Sequence, residues 1–196
     1  MKRILATLTL LVCFGIAQAQ GTFDFSLVGG ANFCQIDGDN SGSYNKLGYF
    51  GGVNTSFSLG GHFRMLVELG VSNKGSVVEN LNREISLLYV QVPVMLCWSM
   101  GRLRLGAGLA PGVLAQVRVD EGGVELPEAE ALYKKVDRLP FCANINLRLT
   151  KHWGIDARYT NSFLSVHEGK KGAYRFSRDN SGAFNRLISA GVSYTF

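Results

Sequence analysis

The sequence predicts an all-β protein: an eight-stranded antiparallel up-and-down transmembrane β-barrel. Three observations carry that prediction. Apolar and polar residues alternate over segments of roughly 11 to 18 residues, whereas soluble strands average about 5 to 6 and a tilted membrane strand needs about 9 to 11. The face opposite the apolar one mixes small and ionisable residues, as the crowded interior of a small barrel demands. Aromatic residues collect near segment ends, at Phe23, Phe57, Phe63, Trp98, Trp153 and Phe196, where a bilayer interface favours them. A soluble sandwich would also alternate, with its apolar faces packed inward. Long segments and a charged opposite face favour lipid on the apolar side.

The first residues stand apart from the fold. Met1-Lys2-Arg3 is basic, Ile4 to Ile16 is almost wholly apolar, and Ala17-Gln18-Ala19 is a small-x-small site. These are the three parts of a secretory signal peptide, so the expected division is a leader over 1–19 and one barrel domain over 20–196. The apolar run is shorter than the roughly 20 residues a spanning helix needs.

Eight segments follow. The first, 22–36, places Phe23, Phe25, Leu27, Ala31 and Phe33 on one face and Asp24, Ser26, Gly30 and Asn32 on the other. The second, 47–59, sets Tyr49, Val53, Phe57 and Leu59 against Gly52, Asn54, Ser56 and Ser58. The third, 62–74, sets Phe63, Met65, Val67, Leu69 and Val71 against Arg64, Glu68, Ser72 and Lys74. The fourth, 85–98, sets Leu88, Val90, Val92, Val94, Leu96 and Trp98 against Tyr89, Gln91, Pro93 and Met95. The fifth, 102–119, sets Leu103, Leu105, Ala107, Leu109, Val113 and Val117 against Arg104, Gly106, Gly108, Gly112, Gln116 and Arg118. The sixth, 138–149, sets Leu139, Phe141, Ala143, Ile145, Leu147 and Leu149 against Arg138, Asn144, Asn146 and Arg148. The seventh, 153–163, sets Trp153, Ile155, Ala157 and Tyr159 against Asp156, Arg158, Thr160 and Ser162. The eighth runs from Asn185 to the last residue, with Ile188, Ala190, Val192, Tyr194 and Phe196 on the apolar face.

Connections alternate in length. Gly60-Gly61, Ser99-Met100-Gly101 and Thr150-Lys151-His152 are tight turns, and 37–46, 75–84, 120–137 and 165–184 are longer polar loops. That order puts both termini at the short-turn end. Pro93 and Pro111 fall inside segments and predict bulges or bends, because proline removes a ladder hydrogen bond.

Composition narrows the function. Twenty-four glycines in 196 residues is about 12%, against about 7% in ordinary chains. The net charge of +5 drops by two without Lys2 and Arg3 and gathers into no basic patch, which argues against nucleic acid. Without Cys13, three cysteines remain, Cys34, Cys97 and Cys142. An odd number is no disulfide framework, and inward-facing cysteines read as small packing residues. No cofactor and no metal is expected.

The chain resembles the PorT-like outer-membrane β-barrel family of Bacteroidetes. The matching stretches are GGANFCQIDGDNSGSYNKLGYFGGV, VELGVSNKGS, LLYVQVPVML, RLRLGAGLAPGVL, YKKVDRLPFCANINLRL, GIDARYTNSF and the final SYTF. The resemblance spans almost the whole chain after the leader. It implies an eight-stranded barrel in the outer membrane of Gram-negative bacteria and little biochemistry. Lipid, the outer-membrane assembly machinery and an envelope protein complex are the expected partners. A C-terminal aromatic after alternating apolar residues, here Tyr194 and Phe196, resembles the signal that machinery reads.

Alternation turns Arg64, Glu68, Arg104, Arg148, Asp156 and Arg158 inward. Buried charges must be matched, so these six are expected to form a cross-strand ion-pair network that fills the lumen; the competing reading makes them the gate of a narrow porin-like channel. The first loop, DGDNSGSYNK, echoes the start of a calcium loop but has Gly48 where the bidentate Glu belongs. DNSGAFNR in the last loop repeats its pattern. His62, His152 and His167 lie at turns or in a loop, and no G-x-S-x-G occurs, so an enzyme is not expected. The expected role is a structural or interaction protein of the envelope with surface-exposed loops.

Overall fold

The structure is a computed structural model and describes residues 23–37, 44–78, 82–126, 132–166 and 182–196. The leader expected over 1–19, the core of the calcium-like loop, His167 and the Asp179-Asn180-Ser181 of the last loop lie outside the described residues.

The long strands are β1 (Phe23–Asp37), β2 (Lys46–Gly60) and β3 (Phe63–Val78). Then come β4 (Arg83–Gln91), β5 (Val94–Met100), β6 (Leu103–Leu109) and β7 (Gly112–Glu121). Two short pieces, β8 (Val124–Glu125) and β9 (Val136–Asp137), precede β10 (Pro140–Arg148), β11 (Trp153–Ser162) and β12 (Phe184–Thr195). All pairings are antiparallel. β3 pairs with both β4 and β5, β4 with β7, and β5 with β6. Thus β4 and β5 are one stave, β6 and β7 another, and β12 pairs with β1 to close an eight-stave barrel.

The two broken staves are the ones that carry internal prolines. β4 gives way to β5 at Val92-Pro93, and β6 to β7 at Ala110-Pro111. The breaks adjoin, and the wall stays sealed. Val92 N–H donates to the Pro111 carbonyl at 2.8 Å, Glu68 N–H to the Pro93 carbonyl at 2.9 Å, and Ala110 N–H to the Pro140 carbonyl at 2.9 Å. Proline lacks a donor but keeps its acceptor, and each acceptor is used.

At one end the turns are tight. β2 and β3 are joined through Gly61-His62, and β5 and β6 through Gly101-Arg102. Gly61 (φ +57°) and Gly101 (φ +55°) sit in the left-handed region that favours glycine. Over most of the barrel the outer wall is apolar: Phe25, Leu27, Val53, Leu69, Leu96, Ile145, Ile155 and Val192 are all exposed, as lipid contact requires.

Above this belt the pattern inverts. Ile85, Leu87, Tyr89, Val117 and Val119 turn inward and form an apolar cluster with Ile36, Val166 and Ala183. Glu84, Gln116 and Arg118 are exposed. The sequence reading put Val117 on the lipid face and Gln116 and Arg118 in the lumen. A bulge reverses this: Leu88 pairs with Gln116 and Tyr89 with Leu114, leaving Ala115 extra. One additional residue flips every side chain beyond it. Arg138, expected inside, is also exposed, and the neighbouring Asp137 is buried instead. The lumen is therefore not polar throughout; a collar at the long-loop end carries a core of water-soluble type. β8 prolongs that collar, doubling back on β7 across Gly122 and Gly123.

Candidate functional site

The lumen holds the chain's concentration of charge, in three levels. The middle level joins opposite walls. Arg158 on β11 donates from Nη1 to Glu68 Oε1 at 2.8 Å and from Nη2 to Oε2 at 2.9 Å, with Glu68 on β3. Its Nε donates to Asp156. The other oxygen of Asp156 accepts from the amides of Asn144 and Asn146, each at 3.4 Å. The Phe50 ring covers the guanidinium at 4.8 Å. All three charged groups are buried, so the bidentate geometry and the extra hydrogen bonds are what offset desolvation. Glycine makes the space. A side chain at Gly191 would strike the Phe50 ring, and one at Gly106 would strike the Asn144 amide.

Beside the belt, Asn32 ties three walls together. Its amide donates to Ser72 Oγ and the Asn73 carbonyl, both at 3.0 Å, and its oxygen accepts from Ser189 Oγ at 2.7 Å. Nearer the long loops, Lys74 lies fully buried, 3.8 Å from Asp137 and 4.7 Å from the centre of the Tyr89 ring. Ser162 donates to Asp137 at 2.6 Å. Lys46 pairs with Glu84.

The third level is the short-turn mouth. Asp24 Oδ2 lies 2.9 Å from Arg64 and 3.6 Å from Arg104. With Arg102 and Arg148 these residues line a cavity of about 250 Å³. Between the mouth and the belt is a space of about 20 Å³, room for about one water.

The six residues singled out from the sequence thus divide. Glu68, Asp156 and Arg158 meet in mid-lumen; Arg64, Arg104 and Arg148 gather at the mouth, and Arg148 is exposed there. Sequence reasoning did not single out Asp24, Arg102, Phe50 or Asp137. Asp24 was on the inward face by alternation, but its level needs the register that pairs it with Ser56. Phe50 was masked by the glycines around it.

Tyr194 and Phe196 stand on the outer wall at the short-turn end. Tyr194 stacks on His152 at 5.5 Å and meets Trp153 at 5.1 Å and Phe196 at 5.3 Å. Thr195 N–H donates to the His152 carbonyl at 2.7 Å and Phe196 N–H to the Phe25 carbonyl at 3.1 Å, so the terminus is held from both sides. Cys34, Cys97 and Cys142 are buried free thiols. Among the described residues no three His, Cys, Asp or Glu side chains converge as a metal site.

Comparison with known proteins places this geometry. No curated protein matches the chain significantly. The barrel is similar to Neisserial surface protein A (NspA), with a TM-score of 0.55 and 13% identity over 88% of this chain and 97% of that one. It is similar to Ail, the attachment invasion locus protein of Yersinia pestis, with a TM-score of 0.53 and 13% identity over 89% and 99%. Identities this low speak for the fold alone. The family model for the outer membrane protein beta-barrel domain matches residues 17–168. The protein is located in the outer membrane, and the chain belongs to the outer membrane protein beta-barrel domain family.

Proposed function

We propose that the protein is a non-conducting, non-enzymatic barrel of the cell envelope, whose lumen is a structural plug and whose long loops face outward to make contacts. The observation that carries this is the pair Arg158–Glu68, which joins opposite walls under Phe50. The apolar collar above it supports the same reading. An ion crossing the barrel would have to break a bidentate pair and then pass an apolar core. The competing reading, a narrow porin-like channel, draws on the cavity at the short-turn mouth, which ends below the belt in room for about one water. Planar-bilayer recording of the refolded barrel tests the proposal. The expected result is no discrete conductance steps; stepwise openings of the wild type would overturn it.

The finer placement is part of the same proposal. The quoted stretches favour the PorT-like branch. The leader over 1–19 exports the chain, the short-turn end faces the periplasm, and Tyr194 with Phe196 addresses the chain to the assembly machinery. Crosslinking in the native outer membrane would reveal partners in an envelope complex, and recovery of the barrel alone would count against that role.

A further inference from the structure

The short-turn mouth has more charge than structure needs. Four arginines line it: Arg64 on β3, Arg102 in the turn before β6, Arg104 on β6, and Arg148 at the end of β10. Arg148 N–H donates to the Arg102 carbonyl at 2.8 Å, which keeps Arg102 and Arg148 side by side. Asp24 is the carboxylate among the described lining residues. It is shared by two of the arginines, so the lining has a formal excess of three positive charges.

This differs from the mid-lumen level above, where each guanidinium nitrogen of Arg158 donates to a carboxylate. A purely structural set would match its charges, since like charges held together repel. These arginines border an open cavity of about 250 Å³, below the range of roughly 300–1,000 Å³ typical for drug-sized ligands. They also face the lumen, not the lipid, so anchoring the outer wall to headgroups does not account for them. A planar guanidinium fork matches the oxygens of phosphate two at a time.

We propose that this mouth is a phosphate-binding site, in which Arg102, Arg104 and Arg148 take the oxygens and Asp24 limits the affinity by competing for Arg64 and Arg104. The phosphate comes from a free phosphorylated solute or from a lipid headgroup whose polar end enters the mouth. The site stands whether or not the lumen conducts.

The test uses the whole barrel, refolded in nonionic detergent, with pyrophosphate as the probe in calorimetric titration. Saturable one-site binding is expected, weakening as salt rises. Arg104→Gln with Arg148→Gln should weaken it about tenfold or more. Asp24→Asn should tighten it, an effect that a misfolded variant would not produce. Absence of saturable binding by the wild type overturns the proposal, as does binding that neither substitution changes. Repeating the titration in nanodiscs separates the sources: a site that takes headgroups loses pyrophosphate binding in phosphatidylglycerol discs, and a site for free solutes keeps it.

Discussion

Arg158 and Glu68 lie on opposite staves, and their side chains meet in the middle of the lumen through two parallel hydrogen bonds of 2.8 and 2.9 Å. Removing one member leaves the other charge buried. Glu68→Met and Arg158→Met are each expected to lower stability by about 3–5 kcal/mol. The double variant should lose less than the sum of the two, by about 0.5–3 kcal/mol. Urea unfolding in detergent micelles, followed by tryptophan fluorescence, measures all three. Additive losses would mean that the two residues do not act as a pair.

The bulge at Ala115 decides what the collar buries. Deleting Ala115 would push Arg118 inward and turn Val117 and Val119 outward, away from Ile85 and Leu87. The collar should then loosen while the lower barrel persists. Limited trypsin digestion of the folded variant should gain a cut near Lys134 or Lys135 and still leave a heat-modifiable band on gels. An unchanged digestion pattern would argue against the bulge as the device that sets the facing.

Leu69 and Phe63 both stand on the outer face of β3, six residues apart. Phe63 is at the aromatic rim and Leu69 in mid-wall. Leu69→Arg should cost about 2–4 kcal/mol in a bilayer and Phe63→Arg about 0–1. The comparison belongs in vesicles, by reversible urea titration. Equal costs would contradict the placement of the belt.

Phe196 is exposed and contributes one backbone hydrogen bond, to Phe25. Its deletion should change the stability of the refolded barrel by no more than about 1 kcal/mol. The amount inserted in the outer membrane should fall several-fold, read as the heat-modifiable fraction. Normal insertion would remove the addressing role from the terminus.

The barrel was legible because a period of two shows a strand's facing directly, and the lipid belt kept that period in all eight staves. It failed where the backbone lost phase. Nothing in Leu114-Ala115-Gln116 announces a bulge, since any of the three could be the extra residue. Away from the bulge and Arg138 the inner wall was legible as a list of inward residues, but a list has no heights. Arg64 and Glu68 lie on one face, four residues apart; with strands tilted across a closed wall, that spacing sends the first to Asp24 at the mouth and the second to Arg158 in mid-lumen. Register between staves decides such matters, and register is a property of pairs of segments.

The reversal of facing at Ala115 on β7, opposite Leu88 and Tyr89 of β4, has a consequence for how the protein sits. Below that line the same strands reject water from their outer surface, and above it they reject lipid. Sinking by one residue pair would drive Gln116 and Arg118 into hydrocarbon; rising by one would strand Val90 and Val113 in water. Either displacement meets a restoring force, so the chain carries its own depth gauge. The part above the mark answers only to water, and its outward residues are free to change without renegotiating the fit to the bilayer.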